Sequence, residues 1–344
     1  MNSVERLVAS ADGKPLDCVP VIPGIGHYAA VLAGEPINKV VFNPALMAEV
    51  ILRCVERHGH DSCSPITDYG LGTESMGSRV RFGEREQVRV VEFPVATRKD
   101  VARLRIPDPL KDGRMPVILE CEQILYESLH GRVGVQGAVA GPLSFAANLR
   151  GPQGLLIDLI EDPGLVHELL GISLQAGISF GEAQIRRGGM STIAVYDPMM
   201  TLISSAMADE FGFPYLERLF THLRGLGAVV MLHICGETTR LLERMVQVGA
   251  NILSLDVNVD LAEAKRIVNG RAVISGNVAT QNLAWRNAAA IYEESCRCIE
   301  RAAVGGRYTL SSSCEVPLET PPANIDAMIR AAREFGATVL AEWA

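Results

Sequence analysis

Residues 229–275 read VVMLHICGETTRLLERMVQVGANILSLDVNVDLAEAKRIVNGRAVIS, and their alternation decides the fold. The apolar runs Val229–Ile234, Ile252–Leu255 and Ala272–Ser275 are short and rich in Val and Ile, the composition of strands buried on both faces. Between the first two, Thr238–Val248 places Leu241, Leu242, Met245 and Val248 on one helical face. Strand and helix alternate at intervals of about 20 residues, which implies a parallel sheet with helices outside it. Outward from this stretch, similar runs occur at Val19–Pro23, Val133–Val139, Thr192–Val195, Tyr308–Ser311 and Thr338–Ala341. Helical patterns fill the gaps, notably from Leu165 to Arg187 after Asp162-Pro-Gly and over Ala323–Glu334. Eight candidate strands predict a closed (β/α)8 barrel, with an open doubly wound sheet as the alternative. Arg79–Phe93 (RVRFGEREQVRVVEF) alternates polar and apolar residues and reads as an inserted β-hairpin. No linker or repeat interrupts the chain, so residues 1–344 are expected to form one domain.

Bulk properties exclude several function classes. The formal net charge is −8 with no run of Lys or Arg, which disfavours nucleic acid, whose phosphates demand a basic surface. No apolar stretch reaches the roughly 20 residues that span a bilayer, so no membrane partner is expected. The N-terminal MNSVERLVASADGKPLD is polar and mixed in charge, unlike a secretory signal, and points to the cytoplasm. In that reducing compartment the eight cysteines are expected as thiols.

The densest chemical signal lies at the end of the run that begins at Val229. It closes with His233-x-Cys235-Gly236. Alternate residues of a strand point the same way, so His233 and Cys235 reach one point in space. In a parallel barrel the C-terminal strand ends form the active-site rim. Residues 308–314 (YTLSSSC) repeat the design and deliver Cys314 to the same rim. His-x-Cys alone also arises by chance in a buried strand; a cysteine at a second strand end makes a metal the better reading. One imidazole and two thiolates suit zinc, and three protein ligands leave a position open for chemistry. Asp256 ends the next strand (residues 251–256, NILSLD) and is a candidate fourth ligand, tuning group or helix cap. His27, Tyr196, Asp197 and Asn277 also stand at strand ends and are expected in the pocket. Glu74 reads as a solvated carboxylate, and His58 and His60 as helix-terminal residues. Cys296 and Cys298 face different directions on a helix. Gly24-Ile-Gly26 lacks the third glycine of a dinucleotide fingerprint.

With these residues in hand, the chain resembles the uroporphyrinogen decarboxylase superfamily over nearly its whole length. Residues 17–23 (DCVPVIP) are similar to that family's first barrel strand, and residues 141–145 (GPLSF) with 149–151 (LRG) to its Gly-Pro segment. Residues 213–216 (FPYL), Leu255-Asp256 and residues 274–277 (ISGN) follow in the family's order. The resemblance implies a (β/α)8 barrel. The decarboxylases carry an arginine-bearing segment after the first strand that binds the tetrapyrrole carboxylates. Here residues 24–30 (GIGHYAA) hold no arginine, and residues 311–317 (SSSCEVP) replace a His-containing glycine-rich loop. Asp68, in ITDYG (66–70), does resemble the decarboxylases' catalytic aspartate, and is placed in the substrate pocket on that ground.

His233, Cys235 and Cys314 match instead the zinc motif of the corrinoid-dependent branch, the methylcobalamin:coenzyme M methyltransferases. That match implies a zinc-dependent methyltransferase, with methylcobalamin carried by a partner corrinoid protein because this chain shows no cobalamin domain. It implies a small-molecule methyl acceptor, a thiol of the coenzyme M type, or alternatively a methyl ether donor. Asp256, Tyr196 and Asp197 are then expected as catalytic groups and His27, Asp68 and Asn277 as substrate contacts. A homodimer is expected by analogy. Competing readings are a metal-free decarboxylase and a non-catalytic corrinoid- or tetrapyrrole-binding protein.

Overall fold

A strand that is apolar on both faces needs cover on both, and the central strands here receive it. The structure, a computed structural model, describes residues 1–343. In chain order the strands are β1 (Ser62–Cys63), β2 (Arg79–Arg81), β3 (Arg89–Glu92), β4 (Gly134–Val135), β5 (Gly137–Ala140), β6 (Thr192–Tyr196), β7 (Val229–Ile234), β8 (Ile252–Leu255), β9 (Val273–Val278) and β10 (Tyr308–Ser312). β5 to β10 form a parallel sheet in sequential order, with helices packed outside it. β4 pairs in parallel with β1.

Segment 20–24 closes the ring. Leu310 N donates to Pro20 O and Ile22 N to Leu310 O, both at 2.8 Å, while Asp61 N donates to Val21 O at 2.8 Å. Gly134 N then donates to Asp61 O at 3.0 Å, carrying the ladder on to β4. Pro20 and Pro23 supply no N–H, so this first strand is reduced to isolated bridges at Val21 and Gly24. The architecture is the expected (β/α)8 barrel.

Two strand expectations change. Thr338–Ala341 lies inside the helix Phe335–Trp343, where Val339 and Leu340 pack on the core. A four-residue apolar run does not by itself distinguish a buried helix from a strand. The remaining barrel strand is β1, only two residues long, which carries no periodic signal. The run Val133–Val139 divides at Gln136, whose N–H donates to Cys63 O at 3.0 Å; the segment thus serves β1 on one side and β6 on the other.

The expected hairpin is present. β2 and β3 pair antiparallel with a register shift between Arg79 and Val80. The long helix Pro163–Arg186 begins where Asp162 accepts a hydrogen bond from Leu165 N at 3.1 Å, with proline at its start. Among the described residues no helix is long and apolar enough to cross a membrane.

Strand register positions the site. Tyr196 is level with His233, His233 with Ser254, and Ser254 with Ser275. All four side chains face one cavity inside the rim. Beneath them Ala138, Ala194 and Met231 form a separate buried cluster that floors the barrel, small enough to leave space above it.

Candidate functional site

The cavity at the C-terminal strand ends has a volume of about 560 Å³, within the range of small-molecule sites. His233 arrives on β7, and Cys235 follows two residues later. His233 Nε2 lies 3.1 Å from Cys235 Sγ, and Cys235 Sγ lies 3.6 Å from Cys314 Sγ. The three donor atoms all lie within 4.8 Å of one another. His233 is buried, and both cysteines are half-buried.

Each ligand is positioned from behind. His233 Nδ1 lies 3.0 Å from Ser254 Oγ and 3.2 Å from Ser254 O; by donating there, it turns the Nε2 lone pair toward the sulfurs. Gly236 has φ +85°, and a Cβ there would come within 2.8 Å of Thr201 Cγ2, so the chain turns under Cys235 only with glycine. Thr201 Oγ1 donates to Cys235 O. The loop carrying Cys314 lies against the first strand, and a Cβ on Gly26 would sit 2.1 Å from Glu315 Oε1.

The two sulfurs are within hydrogen-bonding distance of each other, and either can donate. The hydrogen bond from Cys235 holds the Cys314 thiol below its ordinary value, against burial and with help from His233. The same bond, with burial, pushes the Cys235 thiol up. A dication such as zinc placed among these atoms would favour the thiolates and complete a His/Cys/Cys set. The residues present therefore fit zinc.

Replacing Ser254 with alanine removes the hydroxyl partner of His233 Nδ1. The expected effect is a metal affinity lower by about 10- to 100-fold, read by competition with a chromophoric chelator. An unchanged affinity would show that the backbone carbonyl of residue 254 alone suffices to hold the imidazole.

The other expected site residues divide. Tyr196 lines the cavity with its ring edge-on to His233, the centroids 5.8 Å apart. Burial pushes its phenol above the ordinary value. Asp68 also lines the cavity. It is gripped by Arg114, whose Nη1 and Nη2 donate at 2.7 and 3.0 Å, and by Gly70 N at 2.8 Å.

Asp256 lies just beyond β8. Its Oδ1 accepts from Asn258 N at 3.0 Å and from Asn258 Nδ2 at 2.7 Å. Its carboxylate is outside the cluster of three donor atoms, though its charge helps to raise the Cys235 thiol.

His27, Asp197 and Asn277 do not line the cavity; of the three, His27 holds a residue that does. His27 donates its backbone N–H to Glu315 Oε1 at 2.7 Å, and its Nδ1 lies 2.8 Å from the same oxygen. Gln87, from the hairpin, donates to Glu315 Oε2 at 3.0 Å, so Glu315 is fixed in the cavity wall beside Cys314. Asp197 is fully buried and accepts from Leu143 N at 3.2 Å, Ser144 N at 2.8 Å and Ser144 Oγ at 2.6 Å. It caps the helix Pro142–Arg150 rather than facing substrate, and burial pushes its carboxyl up to about 6. Asn277 Nδ2 donates to Asp256 O at 2.9 Å and Val259 O at 2.8 Å, tethering the loop that bears Asp256. Strand-end position brought these three to the rim, but side-chain direction turned them outward.

Glu74, read from sequence as solvated, accepts from Arg114 N at 2.8 Å and Nε at 3.1 Å. Sequence reasoning missed Ser254, Arg114, Glu315, Gln87 and Tyr69. Glu315 was within reach, being next to Cys314. Ser254 required the strand register, and Arg114 stands alone before a helix with no motif around it.

Comparison with known proteins identifies the family and supports the fold. The family profile described as uroporphyrinogen decarboxylase (URO-D) matches residues 2–335. The methylcobamide:CoM methyltransferase MtaA of Methanosarcina barkeri is 28% identical, covering 96% of this chain and 97% of its own. A uroporphyrinogen decarboxylase of Anaeromyxobacter dehalogenans is 27% identical, covering 96% and 99%. The solved structure of a methyltransferase from Methanosarcina mazei superposes with a TM-score of 0.88 at 27% identity, covering 97% of this chain and 99% of that one. The chain belongs to the uroporphyrinogen decarboxylase family of enzymes, with methylcobamide:CoM methyltransferases among its relatives.

Proposed function

We propose that this chain is a zinc-dependent methyltransferase of one barrel domain. It moves a methyl group between a corrinoid carried by a separate protein and a small molecule held beside His233, Cys235 and Cys314. The observation that carries the reading is the convergence of these three donor atoms within 4.8 Å, at the wall of an open cavity and not in a closed structural site. When bound, zinc supplies Lewis acidity: it favours the thiolate of a thiol, or draws electron density from an ether oxygen as its methyl leaves.

The chain's own residues do the rest. Ser254 orients His233, and the small floor beneath leaves room for substrate. Tyr196 and Asp68 border the substrate space, Asp256 tunes the cluster by its charge, His27 supports the wall at Glu315, and Asn277 tethers the loop that bears Asp256. Both a thiol acceptor, as in the names of the methyltransferase relatives, and a methyl ether donor are compatible with such a site. The arginine-free segment 24–30 supports methyl transfer over decarboxylation of a polycarboxylate, which needs cations to hold it.

The test is spectroscopic. Zinc-loaded protein is mixed with methylcobalamin and thiols, or with cob(I)alamin and methoxy-aromatics, and the corrinoid absorbance is followed. Turnover above the protein-free rate in either direction, abolished by chelation, is expected. No acceleration in either direction would sink the reading.

A further inference from the structure

We propose that the small molecule taken by this site is uncharged: a neutral thiol or methyl ether with an apolar body, not an anionic thiol such as a sulfonate. This inference rests on the methyl-transfer reading above and narrows its substrate class.

The charge around the cavity carries the argument. Among the described residues no Lys or Arg lines it, and its charged side chains are Asp68 and Glu315. The nearest guanidinium bonded to that lining is Arg114, and it is spent. It donates through Nη1 and Nη2 to Asp68 and through Nε to Glu74. Phe82 and Phe42 pack on one side of it, their ring centroids 4.7 and 5.9 Å from Cζ and 4.8 Å from each other. One guanidinium against two carboxylates leaves that cluster with one negative charge. Glu315 adds another, fixed in the wall by His27 and Gln87.

The metal does not reverse this balance. A zinc dication with two thiolates and a neutral imidazole sums to zero charge. An anionic substrate would therefore enter a cavity of negative potential and lose its hydration with no cation to replace it. A sulfonate or carboxylate held tightly elsewhere is gripped by Arg or Lys, and that grip is missing here.

The rest of the lining specifies what is welcome. Phe145, Phe180, Tyr69, Tyr196, Met115 and Leu71 border the space. Flat apolar walls of this kind reward a desolvated hydrocarbon or aromatic body. At about 560 Å³ the cavity has room for a substituted aromatic ring as well as for a short thiol.

The test compares molecules that differ in charge. Calorimetric titration of the zinc-loaded protein at neutral pH uses two pairs: 2-mercaptoethanol with 2-mercaptoethanesulfonate, and 2-methoxyphenol with 4-hydroxy-3-methoxybenzoate. In each pair the uncharged member is expected to bind on the order of tenfold more tightly or better. The variant Gln87→Lys places a cation beside Glu315. It is expected to strengthen sulfonate binding relative to the neutral thiol by about fivefold. Equal or tighter binding of the anions to the wild type, or no binding of any neutral probe at millimolar concentration, overturns the proposal. So does a Gln87→Lys variant with an unchanged preference. Methyl transfer from methylcobalamin is followed in the same samples. Transfer to the sulfonate thiol in preference to the neutral one overturns the substrate class alone, whereas absence of transfer with every probe overturns the methyltransferase reading itself.

Discussion

Cys314→Ala is expected to lower methyl transfer by about three orders of magnitude or more, about 4 kcal/mol of lost transition-state stabilisation. The reason is the geometry of the donor set. His233 and Cys235 come from one strand end and would reach a metal from one side, while Cys314 arrives from the end of β10 and closes the triangle of donor atoms. With two donors left, the ion has neither affinity nor a fixed open position. The sulfur is half-buried in a loop after a strand, so its loss leaves the barrel core untouched and the thermal midpoint should move little. A variant that folds normally and keeps activity within tenfold would remove Cys314 from the mechanism.

The largest stability effect is expected at Arg114. Its side chain and that of Asp68 are each 3% exposed and joined by two hydrogen bonds, with Glu74 on the same guanidinium. Arg114→Leu leaves two carboxylates facing each other without a counter-charge, a loss of about 3–5 kcal/mol. Against a typical total stability of about 5–15 kcal/mol, that is a large share. Arg114→Lys keeps the charge but not the fork, and should fall between. Urea unfolding of the three proteins measures the order directly; a leucine variant as stable as the wild type would mean the carboxylates are relieved another way. The same substitution should disturb the cavity wall at Asp68.

The legible part of this protein was what periodicity and strand ends encode. Residues 229–275 specified three parallel strands, and the barrel followed from their repetition. The convergence of His233, Cys235 and Cys314 was legible because two strand-end motifs share one rim in a barrel. The shortest strand was not legible: Ser62–Cys63 has two residues, and its place in the ring comes from backbone bonds to its neighbours. Thr338–Ala341 misled because four apolar residues fit a helix face equally well.

Within the site, position proved easier to read than direction. Asp197, His27 and Asn277 all stand at the rim, but each spends its side chain on a helix end, on Glu315 or on a loop. That choice is set by which unpaired donors and acceptors the neighbouring elements present, and those neighbours are far away in sequence. Arg114 and Asp68 are 46 residues apart and were invisible as a pair for the same reason.

The central claim is that His233, Cys235 and Cys314 hold one zinc ion. Elemental analysis of the protein purified under reducing conditions, beside Cys235→Ser and Cys314→Ser, tests it most directly. The account predicts about one zinc per chain in the wild type and a substoichiometric trace in both variants. A wild-type chain that takes up no zinc even when supplied with it, or variants that retain the full amount, would contradict the account at its base.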